Sequence, residues 1–204
     1  MSVSAAPRLA GGWDDSYAGP IPALWDTGRP QPAFYRLAST GRLAGRVLDV
    51  GCGNGENTLM ATAWGLPAVG VDISPRAVAQ AREKAAVRRL GARFEVADTL
   101  SLAGLGSFRT VLDAGMFHCF SDADRHRYAR SLASVLEPGG TYWMLCYSDR
   151  HPGTWGPRRI RHEDILRTFT AGWVVESIQP AFIETTPNAG APAAFAWLAT
   201  ITRR

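Results

Sequence analysis

One stretch constrains this chain more than any other. Val47-Leu48-Asp49-Val50 has the pattern of a short buried strand, and it runs directly into Gly51-Cys52-Gly53-Asn54-Gly55 and then a helical segment, 56–64. Glycine reaches positive φ without strain and carries no Cβ, so Gly51 and Gly53 allow a ligand to approach the main chain closely. The helix behind the loop presents unpaired N–H groups to a carboxylate or phosphate. The stretch therefore predicts a strand, glycine loop and helix that meet a nucleotide-like ligand on the backbone.

The spacing narrows the ligand. A dinucleotide fingerprint, Gly-x-Gly-x-x-Gly, requires its third glycine at position 56. That position is Glu56, and the third glycine comes one residue earlier, at Gly55. The next strand ends Val69-Gly70-Val71-Asp72-Ile73-Ser74-Pro75, which puts an acid about twenty residues past the glycines, where it can accept from both ribose hydroxyls. Ser74-Pro75 reads as a helix cap followed by proline at the first helical position. The third strand ends Phe94-Glu95-Val96-Ala97-Asp98-Thr99. Taken alone, Asp98 fits a ligand contact and an Asx-turn equally well. A fourth strand leads into Asp113-Ala114-Gly115-Met116-Phe117-His118, and Glu137-Pro138-Gly139-Gly140 forms a turn before the fifth.

In this order, over residues 46–147, the series resembles the motifs of the class I S-adenosylmethionine (SAM)-dependent methyltransferases. The resemblance implies an α/β fold: a Rossmann-like, seven-stranded, mostly parallel sheet with an antiparallel last strand and helices on both faces. It implies SAM as cofactor and S-adenosylhomocysteine (SAH) as product. The cofactor contacts it implies are Trp25, Asp49, Gly51, Cys52 and Gly53, then Asp72 and Ile73 near the ribose. Ala97, Asp98 and Thr99 follow at the adenine, where the acid pairs with the exocyclic amine and a neighbouring N–H meets a ring nitrogen. Asp113 either orients the methionine amino end or anchors its loop.

Further segments narrow the resemblance. Trp25-Asp26-Thr27-Gly28-Arg29-Pro30-Gln31-Pro32, the His118 stretch, and Cys146-Tyr147-Ser148-Asp149 with Trp155-Gly156-Pro157-Arg158-Arg159 are similar to small bacterial methyltransferases. That group includes heterocyclic toxin methyltransferases and has thiopurine methyltransferase-like relatives. The implied reaction is methylation of an oxygen or sulfur on a small aromatic heterocycle, related metabolite or thiol; N-methylation of a small heterocycle is the alternative. His118 is the candidate base, because it lies at the carboxyl end of the fourth strand and imidazole titrates near neutrality. Trp13, Tyr17, Met116, Phe117, His118, Tyr147 and Trp155 are the candidate acceptor contacts. His151 joins them, while Arg158 and Arg159 read better as solvated loop charges.

Strands are predicted at 46–50, 68–72, 93–97, 109–113, 140–147, 173–184 and 194–202, and helices at 56–64, 75–90, 122–136 and 162–170. Residues 13–35 hold five aromatic side chains among prolines and glycines, too broken for a long helix and too aromatic for water. Residues 1–45 are expected to form a lid segment on a methyltransferase domain, 46–204, within one globular unit.

The net charge of +4 does not by itself indicate nucleic acid. The basic residues are almost all arginine, scattered and interleaved with acids, with no basic and aromatic stripe. The fourth strand also lacks an Asn/Asp-Pro-Pro-Tyr/Phe sequence for a nucleobase amine. No apolar run approaches the roughly 20 residues of a membrane span, and no signal-peptide pattern opens the chain, so a cytoplasmic enzyme, monomer or homodimer, is expected. Cys52, Cys119 and Cys146 are too widely spaced for a zinc site, and no metal is expected. Two other classes remain: a nicotinamide-dependent oxidoreductase, against which Glu56 counts, and a SAM-binding module without catalysis.

Overall fold

The computed structural model describes residues 12–154, 156–186 and 192–204. Seven strands form one sheet: β1 (Val47–Val50), β2 (Ala68–Asp72), β3 (Arg93–Val96), β4 (Phe108–Ala114), β5 (Leu136–Tyr147), β6 (Trp173–Glu184) and β7 (Ala193–Arg203). Their spatial order is β3-β2-β1-β4-β5-β7-β6. The first five strands pair in parallel, and β7 inserts antiparallel between β5 and β6. Among the described residues, five α-helices complete the fold: α1 (Pro32–Ser39), α2 (Glu56–Ala63), α3 (Pro75–Arg88), α4 (Asp122–Val135) and α5 (His162–Thr168).

β1 and β2 are buried along their whole length because helices cover both sheet faces. On one face Leu48, Val50, Val111, Tyr142, Met144 and Cys146 pack with Tyr128 and Leu132 of α4 and Ile165 of α5. On the other, Val47, Leu112, Trp143 and Leu145 meet Phe34 and Leu37 of α1 and Met60 and Ala61 of α2. The alternation along β5 follows from the pleat, which sends successive side chains to opposite faces.

The sheet and its antiparallel insertion agree with the sequence reading. The sequence reading places no helix over 32–39, where α1 forms; at eight residues it leaves the reading of 13–35 as too broken for a long helix intact. Pro32 occupies the first helical position, where its missing N–H costs nothing, so it starts a helix there. Phe34, Leu37 and Ala38 bury α1 against the sheet, and the aromatic segment that lies over the glycine loop is therefore 13–31. Strand β5 also begins earlier than 140, at Leu136, pairing with Phe108 before a register shift at Thr110. Among the described residues no helix is long and apolar enough to cross a membrane.

The loop geometry explains the early third glycine. Gly55 has φ +90° and precedes α2, and a Cβ on it would lie 2.7 Å from Phe94 and 2.9 Å from Ala81. Glu56 turns toward α3, where Lys84 Nζ donates to it at 2.8 Å and Arg88 donates through Nη1 at 2.8 Å and Nη2 at 2.9 Å. Burial opposes its ionisation, but those cationic donors prevail and hold its carboxyl below the usual range. The acid at position 56 thus ties α2 to α3.

Candidate active site

The candidate site lies at the carboxyl ends of β1, β2, β3 and β4, where open α/β sheets bind ligands. Gly51 and Gly53 have φ +63° and +53°, a conformation glycine adopts without strain. A Cβ on Gly51 would lie 2.2 Å from Met116 Sδ, and one on Gly53 would lie 2.9 Å from the Tyr17 hydroxyl. The loop is therefore overlaid from two directions, by the aromatic segment and by the turn after β4.

Asp72 closes the second strand and braces the loop. Gly53 N donates to its Oδ2 at 2.9 Å and Ser74 N to its Oδ1 at 2.9 Å. Each oxygen keeps a further lone pair for a ligand hydroxyl. Burial is the main cause that lifts its pKa, against those backbone bonds. Ile73 beside it is 53% exposed, an apolar side chain left in water at the strand end.

Asp49 sits beneath the loop. Its Oδ2 accepts from Thr58 Oγ1 at 2.7 Å, whereas its buried Oδ1 has no partner. Burial, reinforced by the like charges of Asp113 and Asp72, pushes this carboxyl up to about 7. An unpaired buried carboxylate oxygen is costly in isolation. It becomes favourable when a cationic ligand reaches it, and the three neighbouring acids give that part of the site a negative potential. Among the described residues no group of histidine, cysteine and acidic side chains is arranged to hold a metal ion.

The aromatic segment is pinned at both ends. Its 3-10 turn, Asp14–Tyr17, docks at the start of α3, where Asp14 Oδ1 accepts from Ser74 Oγ at 2.6 Å and Arg76 N at 3.0 Å. Trp25 Nε1 donates to the Tyr17 hydroxyl at 2.9 Å, and Trp13 packs edge-on against Trp25 at 5.5 Å. Asn54 donates to Asp26. Farther along, the Gln31 side chain pairs with both backbone groups of Glu184 at 2.8 and 3.1 Å, and Arg29 pairs with the Glu184 carboxylate at 2.9 Å. The segment thus joins α3, the glycine loop and the end of β6.

Several side chains stand differently from the sequence expectation. Asp113 is fully buried, with Tyr142 and Tyr128 hydroxyls donating to Oδ2 at 2.6 and 2.9 Å and Met116 N to Oδ1 at 2.7 Å. These are the contacts of a loop anchor, the second of the two roles considered for it, and they turn the carboxylate away from catalysis. Phe117 has no exposed surface and packs on Phe169 at 5.8 Å, with the Arg125 guanidinium also over its ring, so it is core and cannot touch an acceptor. Its direction follows from the 3-10 turn Phe117–Cys119, which rolls it back over the sheet.

His118 is equally constrained. Its Nδ1 accepts the Tyr147 backbone N–H at 3.1 Å, so the neutral ring carries its proton on Nε2. Burial, with the charges of Arg125 and Arg159, pulls its pKa down to about 3. A ring whose lone pair is already bonded does not serve as a base in this arrangement, and the sequence expectation is corrected accordingly. Nε2 faces Gly115, lying 3.4 Å from where a Cβ there would be.

The residues expected at the adenine divide in the same way. Ala97 N donates to Asp72 O at 3.0 Å, so its N–H belongs to the sheet. Asp98 Oδ1 accepts from Leu100 N at 2.9 Å in an Asx-turn, while the side chain remains exposed; Thr99 is buried. Cys52 Sγ points into the core, against Gly70, leaving only its backbone at the loop. Tyr147 lies edge-on to His118 at 5.0 Å. Arg159 is no solvated charge: it stacks over Tyr147 and donates to the carbonyls of His151 and Pro157. Trp155 lies outside the described residues. Ile183 of β6 was missed, although its Cδ1 lies 3.9 Å from where a Cβ on Gly115 would be.

Comparisons with known proteins bear on the family and the fold. A methyltransferase-domain family model matches residues 47–140. The chain is 32% identical to the 2-heptyl-1-hydroxyquinolin-4(1H)-one methyltransferase of Mycobacteroides abscessus, covering 83% of this chain and 79% of that one. A probable thiol methyltransferase of Arabidopsis thaliana is 32% identical over 68% of this chain and 62% of its own length. A solved structure concerned with conversion of a disulfide bond into a thioacetal group during echinomycin biosynthesis superposes with a TM-score of 0.86. It is 34% identical and covers 93% of this chain and 90% of its own.

Proposed function

Because the chain belongs to the class I SAM-dependent methyltransferase family, we propose that it methylates an oxygen or sulfur of a small aromatic heterocycle or thiol. The observation that carries the donor half is the buried, unpartnered Asp49 Oδ1 beneath a glycine cradle in an acidic surround. SAM carries an ammonium and a sulfonium, so its cationic end fits that surround. The acceptor half is supported by two relatives, one acting on a hydroxyquinolinone and one named as a probable thiol methyltransferase. Three free cysteines suit a reducing, cytoplasmic setting.

Bound in this cleft, SAM supplies an electrophilic methyl group on a sulfur whose positive charge disperses during transfer. Everything else falls to positioning and exclusion of water. Asp49 would hold the ammonium, Asp72 the ribose hydroxyls, and Ile73 one face of the adenine. Tyr17, Trp25 and Trp13 would close over the donor as the lid, with Met116 beside the methyl group. A hydroxy-heteroaromatic or thiol is already partly ionised near neutral pH and needs no strong base. The bonded Nδ1 supports a donor role for His118: its Nε2–H would orient the acceptor's partial negative charge.

Two outcomes follow. His118→Asn is expected to lower kcat by less than about tenfold, since loss of a general base costs about 10²–10⁴; kcat in the wild type should show no inflection near pH 6.5 due to this ring. A larger loss with such an inflection restores the base. Asp49 gives the opposite kind of behaviour. A cationic ligand selects its ionised form, so below pH 7 binding must expel a proton, and affinity should fall by up to about tenfold per pH unit. Calorimetry at pH 6 in buffers of different ionisation enthalpy measures that proton, and Asp49→Asn should abolish its release.

The overall reading is tested by offering hydroxyquinolones, phenols and thiols with methyl-labelled SAM. Labelled O- or S-methyl product is expected. Labelling only at ring nitrogens, or none from any of these acceptors, sinks it.

A further inference from the structure

Tyr147 carries a hydroxyl that the fold does not use. Tyrosine hydroxyls that turn inward usually find a partner. Tyr17 accepts from Trp25, and Tyr128 and Tyr142 donate to Asp113. Tyr147 is half-buried at the carboxyl end of β5, yet among the described residues no group hydrogen-bonds its hydroxyl, and only burial and the Arg159 guanidinium bear on it. Burial raises its pKa against the pull of Arg159, so the phenol keeps its proton and remains a donor.

A second such donor lies beside it. His118 Nε2–H has no acceptor among the described residues, and the two rings meet edge-on at 5.0 Å. The Tyr147 backbone N–H that bonds His118 Nδ1 ties them together. On the sheet, Tyr147 pairs with Ala196 and Ala196 with Ala181, which puts Tyr147 on the same face as Ile183. Ile183 and His118 both approach Gly115, so one end of the site carries both donors. The charges acting there are cationic. Arg125 and Arg159 act on His118, and Arg159 stands 5.4 Å over the Tyr147 ring. His151, edge-on to Tyr147 at 5.4 Å, is held toward its neutral form by burial and by Arg159. The acids of α4 and α5, Asp122 and Asp164, bear on Arg125 instead. Beneath the glycine loop the sign reverses, because Asp49 feels Asp72 and Asp113. The cleft is thus acidic at one end and basic at the other.

We propose that the Tyr147 hydroxyl and His118 Nε2–H together hold the methyl acceptor as its anion, which selects acidic hydroxyls and thiols over amines and weakly acidic alcohols. The proposal deepens the methyl-acceptor reading and rests on it. The acceptor's proton leaves to water as the acceptor binds, so the transfer step needs no base. A bond then forms between the anionic oxygen or sulfur and the methyl carbon, while the bond from that carbon to the sulfonium breaks and its electron pair stays on sulfur. An anionic and a cationic centre become two neutral ones.

The test measures binding to the SAH complex, which needs no turnover. The probes are 4-nitrophenol and 4-nitrothiophenol, whose visible absorbance reports ionisation, with 4-nitroanisole as the uncharged comparator. Adding the wild-type complex at pH 6 is expected to raise the absorbance of the anions, with each bound probe titrating at least about one unit below its free value. Calorimetry should find the anions bound at least about tenfold tighter than 4-nitroanisole. Tyr147→Phe keeps the ring and the backbone bond to His118 and deletes only the hydroxyl. It should weaken binding of both anions by about tenfold or more, the scale of a hydrogen bond to a charged group, and leave the affinities for 4-nitroanisole and SAH within about twofold of the wild type. Binding of the probes in their neutral form, binding of none, undiminished anion affinity in Tyr147→Phe, or an equal loss for 4-nitroanisole overturns the anion site. Methyl transfer to phenols and thiols from labelled SAM is scored separately. Anion binding that depends on Tyr147 without any transfer leaves the anion site standing and removes the acceptor reading, whereas transfer by a wild type that does not favour the anions removes the anion site alone.

Discussion

Asp113→Ala is expected to lower the unfolding free energy by about 4 kcal/mol, on the scale of breaking a buried charged network. The carboxylate is completely buried, and three donors converge on it: the hydroxyls of Tyr128 and Tyr142 and the backbone N–H of Met116. Removing the acceptor strands all three, and each unsatisfied buried donor costs about 1–3 kcal/mol. The lost desolvation of the charge offsets part of this, since burial already pushes the Asp113 carboxyl up to about 6. A domain of this kind has a total stability of about 5–15 kcal/mol, so the change brings it close to its limit.

Urea unfolding with far-ultraviolet circular dichroism measures the effect. A second variant separates stranded donors from a lost cavity filler. Adding Tyr128→Phe and Tyr142→Phe to Asp113→Ala deletes two of the three stranded groups and should recover about 2 kcal/mol. A direct catalytic or cofactor role for Asp113 predicts a different pattern: normal stability with lost turnover, and no recovery from the phenylalanines.

The same residue shows where sequence reasoning reaches its end. The strands were legible because short apolar runs stop at glycines and acids, and a parallel sheet buried on both faces needs such runs. The candidate donor-site residues were legible because they lie in or just past those strand ends: Asp49 and Asp72 in the last two residues of β1 and β2, and Gly51 and Gly53 in the loop after β1. Asp113 also lies at a strand end, but its meaning is set by Tyr128 on α4 and Tyr142 on β5, which no local pattern connects to it. Phe117 and His118 depend on a single 3-10 turn that sends one ring into the core and the other against the Tyr147 backbone.

Helix α1 was hidden for a different reason. Proline reads as a breaker wherever it occurs, yet at the first helical position it is tolerated, and only the burial of Phe34 and Leu37 shows which case applies. Ile183 was hidden by register. Alternation along β6 and β7 predicts two faces, but which residues arrive at the active-site end depends on how β7 inserts between β5 and β6. The part of the site built on parallel strand ends can be read locally. The part built on the antiparallel hairpin cannot.

Asp72→Ala is expected to weaken SAM binding by at least about a hundredfold while leaving the unliganded fold nearly as stable. Two charge-assisted hydrogen bonds to ribose hydroxyls, each about 1.5–3 kcal/mol, are lost together, and 2.7 kcal/mol already corresponds to about a hundredfold. In the free protein the balance differs. The variant forfeits the bonds from Gly53 N and Ser74 N, but it also releases a carboxylate whose ionised form burial disfavours. Those two changes oppose each other. Thermal unfolding without ligand should therefore shift by no more than about 1 kcal/mol, whereas the rise in Tm on adding excess SAM should nearly vanish, as linkage requires when a ligand no longer prefers the native state. Asp72→Asn sharpens the assignment, because an amide has one accepting oxygen and cannot accept from both Gly53 N–H and Ser74 N–H. It should bind SAM more weakly than the wild type and more tightly than the alanine variant. Equal SAM affinity in wild type and Asp72→Ala would show that the strand-end acid only braces the glycine loop. The ribose would then have to be held from elsewhere along the cleft.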